Sequence, residues 1–268
     1  MPKVSVNGLK LYYESSGEGE PVVLIPGFAA GRWIWFKQTA DLPRNFRVIV
    51  FDPRGVSGSD KPEGPQTIGL LADDIAHLLQ KLGIASAHVA GASFGGFVAQ
   101  EFALKYPRMT RKLVLCCTSF GGPNHVVPAP ETLAALASTR GLNSEERMRA
   151  NLLLAFTPEY VQTQVAEVDH LVHLRATNEV PEHIYLSQLH AAMNFNSEAR
   201  LAEITSPTLV LSGDRDVIVP VQNSRNLAAK IRGARLEIVA GGSHTFFIEQ
   251  ADEFNQLIAE FLAADFNG

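Results

Sequence analysis

Short apolar runs recur along this chain, and helical patterns lie between most of them. The runs cover residues 21–25, 46–51, 87–90, 112–117, 208–211 and 236–239. A strand without polar alternation is buried on both faces, as in a parallel sheet that is covered by helices. The patterns at 70–83, 221–231 and 251–264 are typical of amphipathic helices. The alternation therefore predicts an α/β fold with right-handed crossovers.

Two segments depart from this alternation. Near the start, Asn7-Gly8 stands between alternating segments, which predicts a β-hairpin. From about residue 121 to 200 no buried strand is indicated, and helical patterns occur at 131–138, 145–156 and 182–193. We interpret this stretch as a helical insertion over the strand ends, with a core domain of 1–121 and 201–268 and an inserted cap of 122–200.

A serine lies at a predicted turn between a strand and a helix. Residues 91–95 read Gly-Ala-Ser-Phe-Gly; they follow the apolar segment 88–90 and precede a helical pattern at 96–106. A nucleophile on so tight a turn has strained backbone angles, and small neighbours let the strand and the helix pack closely. The helix would direct its N-terminal amides to the same place. The context therefore makes Ser93 a candidate nucleophile.

An alcohol needs a nearby base, and that base needs an orienting acid. In open α/β sheets such groups gather at the carboxyl ends of strands. Of the eight histidines, only His244 directly follows a late strand, so we expect it to be the base. Asp214 and Asp216 both follow the strand at 208–211, and the residue pattern alone leaves both open as the acid.

The chain resembles the α/β-hydrolases of the esterase, lactonase and perhydrolase-like branch, essentially from end to end and including the cap. The nucleophile elbow of that family matches residues 91–95, and its acid-loop pattern falls on Gly213, Asp216 and Pro220, which favours Asp216. Its late histidine, with a glutamate five residues on, falls on His244 and Glu249. The resemblance implies a mostly parallel eight-stranded sheet flanked by helices, and a Ser-Asp-His triad in the order of that family.

The resemblance also implies an oxyanion hole made of two backbone amides, those of Phe28 and Phe94. Two departures from the family pattern border this site. Pro26 stands where relatives usually carry histidine, which removes a side chain that helps to fix the loop. Ser57 stands where glycine is usual, in a segment that we interpret as structural, with Asp52 and Arg54 bracing the loop beside the site.

The cap is expected to shape an apolar substrate pocket. Its predicted lining is Trp33, Leu136, Leu153, Phe156 and Met193, with helix packing the stronger interpretation for Trp33. Cap histidines such as His170 and His173 lack a recognised metal-ligand pattern, and no metal site is predicted. Adjacent Asp73 and Asp74 are interpreted as the polar face of a helix.

Composition limits the possible partners. The 268-residue chain has a net charge of −5 and no basic cluster, which disfavours nucleic acid. No apolar run is long enough to span a bilayer, and the start has no signal-peptide pattern. Adjacent Cys116 and Cys117 cannot form a disulfide with each other within a strand. A chain without a disulfide framework suits a reducing cytoplasm.

The expected activity is that of a serine hydrolase, without a cofactor, that cleaves a carboxylic ester or lactone of a small molecule. Three alternatives remain on the same scaffold, because fold does not determine function. They are hydrolysis of a carbon–carbon bond in a ring-cleavage product, perhydrolysis, and a small-molecule receptor with a vestigial triad.

Overall fold

The computed structural model describes residues 2–139 and 141–265, and it contains one eight-stranded sheet. The strands are β1 (Lys3–Val6), β2 (Leu9–Ser16), β3 (Glu20–Ile25), β4 (Phe46–Phe51), β5 (Ala87–Ala92), β6 (Thr110–Cys116), β7 (Thr208–Gly213) and β8 (Arg235–Val239). Their order is β1-β2-β4-β3-β5-β6-β7-β8. Strand β2 is antiparallel to both of its neighbours, and the other pairs are parallel. The predicted mostly parallel sheet is confirmed.

The N-terminal hairpin forms where the sequence predicts it. Asn7 and Gly8 connect β1 to β2 with φ angles of 44° and 78°. Two consecutive residues with positive φ are what a type I′ turn requires, and asparagine and glycine tolerate this backbone best. The hairpin therefore sets the register of the antiparallel edge of the sheet.

Helices cover both faces of the sheet. They are α1 (Phe36–Asp41), α2 (Ile68–Lys81), α3 (Phe94–Lys105), α4 (Pro130–Ser138), α5 (Ser144–Ala150), α6 (Leu152–Ala155), α7 (Pro158–Thr163), α8 (Val165–Thr177), α9 (Glu182–Met193), α10 (Gln222–Lys230), α11 (Phe246–Glu249) and α12 (Ala251–Ala263). In β3, Val23 packs into the cluster that contains α2, α3 and α10, while Leu24 packs into the cluster with α12. Because adjacent strand residues point to opposite faces, an unbroken apolar strand serves both clusters.

Helix α2 holds a buried charge that the sequence interpretation placed at the surface. The assignment of Asp74 to a polar helix face is wrong, because its side chain is buried and accepts two hydrogen bonds of 2.6 Å from Arg54. Asn7 donates a further hydrogen bond of 2.8 Å to the same carboxylate. Asp73 matches the expectation better, since it lies near the surface beside Lys105. A buried carboxylate needs such partners, because burial without them is costly.

The segment predicted as a cap is helical in the structure. Helices α4 to α9 occupy it, and the bridge between Gly121 and Asn196 lies where the chain leaves and rejoins the core. The single helix predicted at 145–156 is interrupted at Asn151, which ends α5 and precedes α6. The domain limits of 122 and 200 stay a prediction.

Within the described residues, no helix has both the length and the apolar character to cross a membrane.

Candidate active site

The turn between β5 and α3 places Ser93 in a strained conformation. Its φ and ψ angles are 54° and −118°, outside the regions that a residue with a side chain prefers. A Cβ on Gly91 would lie 2.2 Å from the Gly95 carbonyl oxygen, and a Cβ on Gly95 would lie 2.3 Å from that of Ile25. Both positions therefore need glycine. Hydrogen bonds from the Ser93 amide to Cys116 (2.9 Å) and from the Thr118 hydroxyl to the Ser93 carbonyl (2.8 Å) hold the turn.

The sheet register brings the three predicted catalytic segments to one edge. Ala92 at the end of β5 pairs with Cys116, and Cys116 pairs with Leu211 of β7. Gly213 at the end of β7 pairs with Val239 of β8. Neighbouring strands lie about 4.8 Å apart, so the loops that follow β5, β7 and β8 emerge side by side.

Asp216 contacts the histidine, whereas Asp214 does not. The Nδ1 of His244 lies 2.8 Å from Oδ2 of Asp216, and the other oxygen of Asp216 accepts hydrogen bonds from the amides of Ile218 (2.9 Å) and Val219 (2.8 Å). Asp214 instead accepts a hydrogen bond from the Gly241 amide. An ionised Asp216 requires Nδ1 to donate, so the neutral imidazole has Nε2 free to accept a proton.

The ion pair raises the basicity of the histidine. Burial by itself lowers the pKa of His244, but the Asp216 carboxylate outweighs it and raises the pKa to about 9. The thiol of Cys117, which follows β6, lies in the electrostatic neighbourhood of both groups. Burial raises the pKa of Cys117 well above its ordinary value, so the thiol stays neutral. It is therefore a poor rival to Ser93 as nucleophile.

The Ser93 hydroxyl makes no hydrogen bond within the part of the chain that the structure describes. Its side chain is partly exposed at the strand end, while His244 is mostly covered. Catalytic serine–histidine hydrogen bonds are often long without substrate and shorten in the reactive complex. The arrangement leaves the hydroxyl available to a substrate.

Of the two predicted oxyanion residues, Phe94 directly follows Ser93 at the start of α3, and Phe28 lies in the loop after β3. A Cβ on Gly27 would lie 3.6 Å from the Ser93 Cβ, so the loop after β3 passes directly beside the serine. Among the described residues, the backbone amides of Phe28 and Phe94 have no hydrogen-bond partner. The Phe28 ring packs edge-on against the ring of Phe94, with centroids 5.9 Å apart. Two unpaired amides beside a serine can donate hydrogen bonds to an oxygen that develops negative charge.

The loop after β4 is braced by buried charge. Asp52 accepts hydrogen bonds from the Arg32 guanidinium (2.7 Å) and the Gly58 amide (3.0 Å). Arg54 binds the carboxylate of Asp74 on α2. Ser57 has a φ of 42°, in the left-handed region that favours glycine. These contacts agree with the structural interpretation of this segment.

The predicted pocket residues fall into two groups. Trp33 and Phe156 are buried in the core cluster beside α12, and Leu136 is half-buried. Leu153 and Met193 are 62% and 77% exposed. A small cavity beside the loop after β3 is lined by other residues, such as Pro26, Phe94 and Gln188. The lining of the substrate pocket stays a prediction.

Sequence reasoning missed the contacts by which the insertion reaches this site. Glu249 accepts hydrogen bonds from the amide (2.9 Å) and the hydroxyl (2.8 Å) of Thr157 and also binds Ser243, which precedes His244. Gln188 of α9 accepts a hydrogen bond from the amide of Ala29, in the loop after β3. Single polar residues on helices carry no pattern that announces such long-range partners.

This fold and site define a class of protein. The family model of the alpha/beta hydrolase fold matches residues 20–251, and the chain belongs to this family of hydrolases. One relative is named for carbamate hydrolysis: RutD of Azorhizobium caulinodans is 29% identical over 266 residues, 97% of this chain and 98% of that protein.

Two further comparisons concern other substrates. The 2-hydroxy-6-oxo-6-phenylhexa-2,4-dienoate hydrolase of Comamonas testosteroni is 31% identical over 262 residues, 94% of this chain and 91% of that protein. The enol-lactonase of Burkholderia xenovorans LB400 superposes with a TM-score of 0.88 at 28% identity, covering 98% of this chain and all of that one (100%). The similarity therefore extends through core and insertion alike.

Proposed function

We propose that this protein is a serine hydrolase that cleaves a carboxylic ester or lactone of a small molecule through an acyl-enzyme intermediate. The observation that carries the proposal is the 2.8 Å contact between His244 and Asp216, at the sheet edge that also carries the strained Ser93. An ordinary alcohol needs such a pair of base and orienting acid close to it in order to become a nucleophile.

The first half-reaction forms the acyl-enzyme. The Ser93 Oγ attacks the carbonyl carbon while Nε2 of His244 takes the hydroxyl proton, and Asp216 stabilises the imidazolium. The amides of Phe28 and Phe94 donate hydrogen bonds to the carbonyl oxygen as negative charge develops on it. When the intermediate collapses, the carbon–oxygen bond to the alcohol breaks, and His244 returns the proton to that leaving oxygen.

The second half-reaction releases the acid. Water attacks the acyl carbon while Nε2 takes one of its protons, the same amides hold the oxyanion, and Ser93 leaves with the proton from His244. In a lactone the alcohol and the acid belong to one molecule, so the product is a hydroxy acid.

A second candidate, hydrolysis of a carbon–carbon bond in a ring-cleavage product, is favoured by one specific comparison. The Comamonas testosteroni relative carries the name of such a hydrolase. A substrate panel separates these reactions: p-nitrophenyl esters of increasing acyl length, γ- and δ-lactones, an aryl carbamate and a ring-cleavage dienoate. Our proposal expects the highest kcat/KM within the esters and lactones.

Replacing the nucleophile tests the mechanism. Ser93→Ala should lower kcat for p-nitrophenyl acetate by at least about 10⁴-fold, because without the alcohol no acyl-enzyme forms. Ser138→Ala, at the exposed end of α4, is the matched control and should keep wild-type activity. A fluorophosphonate probe read by mass spectrometry should label Ser93 in the wild type and in the control. Turnover of the Ser93 variant within tenfold of wild type would remove Ser93 from the mechanism.

A further inference from the structure

Ala29, the residue after the predicted oxyanion donor Phe28, has an unusual backbone. Its φ is 49°, a conformation that residues with a side chain seldom adopt. Such a conformation persists only where its surroundings hold it in place. The contacts of Ala29 therefore decide where the neighbouring Phe28 amide points.

Both backbone groups of Ala29 are bonded by side chains of the helical insertion. The Ala29 amide donates a hydrogen bond of 2.8 Å to Oε1 of Gln188, which is buried on α9. The Ala29 carbonyl accepts a hydrogen bond from the guanidinium of Arg175 on α8. Among the described residues no core side chain bonds either group, and the nearest other loop bond joins the amide of Ala30 to the carbonyl of Gly27 at 3.3 Å.

The ring of Phe28 also packs against the helical insertion. Tyr185 of α9 packs edge-on against it with ring centroids 4.8 Å apart. The guanidinium of Arg147, from α5, lies 4.1 Å from the centre of the Tyr185 ring. The Phe28 ring and both backbone polar groups of Ala29 thus contact the insertion.

Helix α9 is itself seated on the core. Ile184 is buried so close to Gly55 that a Cβ there would lie 2.5 Å from it. The Ser187 hydroxyl accepts a hydrogen bond of 2.7 Å from the Gln66 amide. Both contacts lie within one helical turn of Gln188. They hold the Gln188 side chain in a defined position relative to Ala29.

We propose that Gln188 and Arg175 are positioning residues of the oxyanion hole, so that the insertion completes the catalytic site of the core. They fix the two polar groups of Ala29 and thereby aim the Phe28 amide at the place where the oxyanion forms. This inference rests on the proposed function. It gives the insertion a part in the chemical step in addition to any part in substrate binding, and it explains how the loop is held although Pro26 offers no side-chain hydrogen bond.

The test breaks the Ala29 contact while keeping the size of the side chain. Gln188→Met removes the acceptor and should lower kcat by about 10- to 100-fold, with KM changed less than about threefold, because only the transition state uses the hole. Gln188→Glu keeps an oxygen that can accept the hydrogen bond from the Ala29 amide, so its kcat should stay within about threefold of wild type. Gln162→Met, on the exposed face of α7, is the matched control.

A transition-state mimic distinguishes positioning from general damage. A trifluoromethyl ketone that forms a tetrahedral adduct with Ser93 should bind Gln188→Met about 10- to 100-fold more weakly, while the product acid should bind as it does to wild type. If Gln188→Met does not fold, Arg175→Met against Arg175→Lys makes the same comparison at the Ala29 carbonyl.

Two results would overturn the inference in an active wild type. One is a kcat of Gln188→Met within twofold of wild type; the other is an unchanged affinity for the ketone although kcat falls. A wild type that neither hydrolyses esters or lactones nor reacts with the fluorophosphonate would instead reject the proposed function, so the two failures are distinguishable.

Discussion

The sheet edge and the helical insertion contribute to the site by different means. At the edge, backbone pairing between β5, β6, β7 and β8 brings the candidate catalytic segments together. The insertion instead contacts residues around the site through individual side chains, of which Gln188 and Thr157 are examples. The candidate reacting groups are thus placed by the sheet topology, whereas we propose that their fine alignment depends on a few long-range polar contacts.

The two aspartates after β7 give the sharpest test of the edge. Asp216→Asn should lower kcat by roughly 10⁴-fold, because the amide no longer holds the histidine in the useful tautomer. Asp214→Asn is the matched control, two residues away, and its kcat should stay within a few-fold of wild type, since the Asp214 side chain bonds the Gly241 amide rather than His244. Ester hydrolysis by both purified variants gives the comparison. Equal losses in the two variants would contradict the role of Asp216.

The pH profile tests the electrostatics of the same edge. His244 must be neutral to act as a base, and its pKa is raised to about 9, so kcat/KM should rise with pH and level off near that value. Acid release from an aliphatic ester in a pH-stat provides the measurement. Any residual activity of Asp216→Asn should show its inflection at a lower pH. Burial, which lowers the pKa of His244, would remain, whereas the carboxylate that raises it would be gone. A wild-type inflection below pH 6 would contradict the raised pKa.

A smaller effect is expected where the insertion meets the histidine loop. Thr157→Val removes the hydroxyl that bonds Glu249 and also accepts from the Tyr160 amide at the start of α7. The loss should be about 1–2 kcal/mol of unfolding free energy in urea, with kcat reduced less than about tenfold.

Thr163→Val is the control for this variant. Thr163 is exposed, and its hydroxyl bonds the Glu159 carbonyl within the same helix. Its unfolding free energy should change by at most about 0.5 kcal/mol. Identical unfolding curves for Thr157→Val and the wild type would show that this contact does not anchor the insertion.

Much of the core could be predicted because its signals are local. The apolar runs become β3 to β8, and Asn7-Gly8 becomes the hairpin turn. The glycines at 91 and 95 already indicate a tight turn in the sequence, since only a residue without Cβ permits such close packing of strand and helix. The helix at 145–156 was predicted less well, because Asn151 interrupts it with no strong breaker in the sequence.

The α/β order, the elbow at Ser93 and the late histidine could be predicted from the sequence alone, since each depends on residues that are close neighbours in the chain. Three contacts become visible in the folded protein: Asp216 rather than Asp214 contacts His244, Asp74 is buried against Arg54, and Gln188 bonds Ala29. These contacts join residues 20 to 159 positions apart. A polar side chain does not encode which distant group it will meet; the packing of the elements around it does.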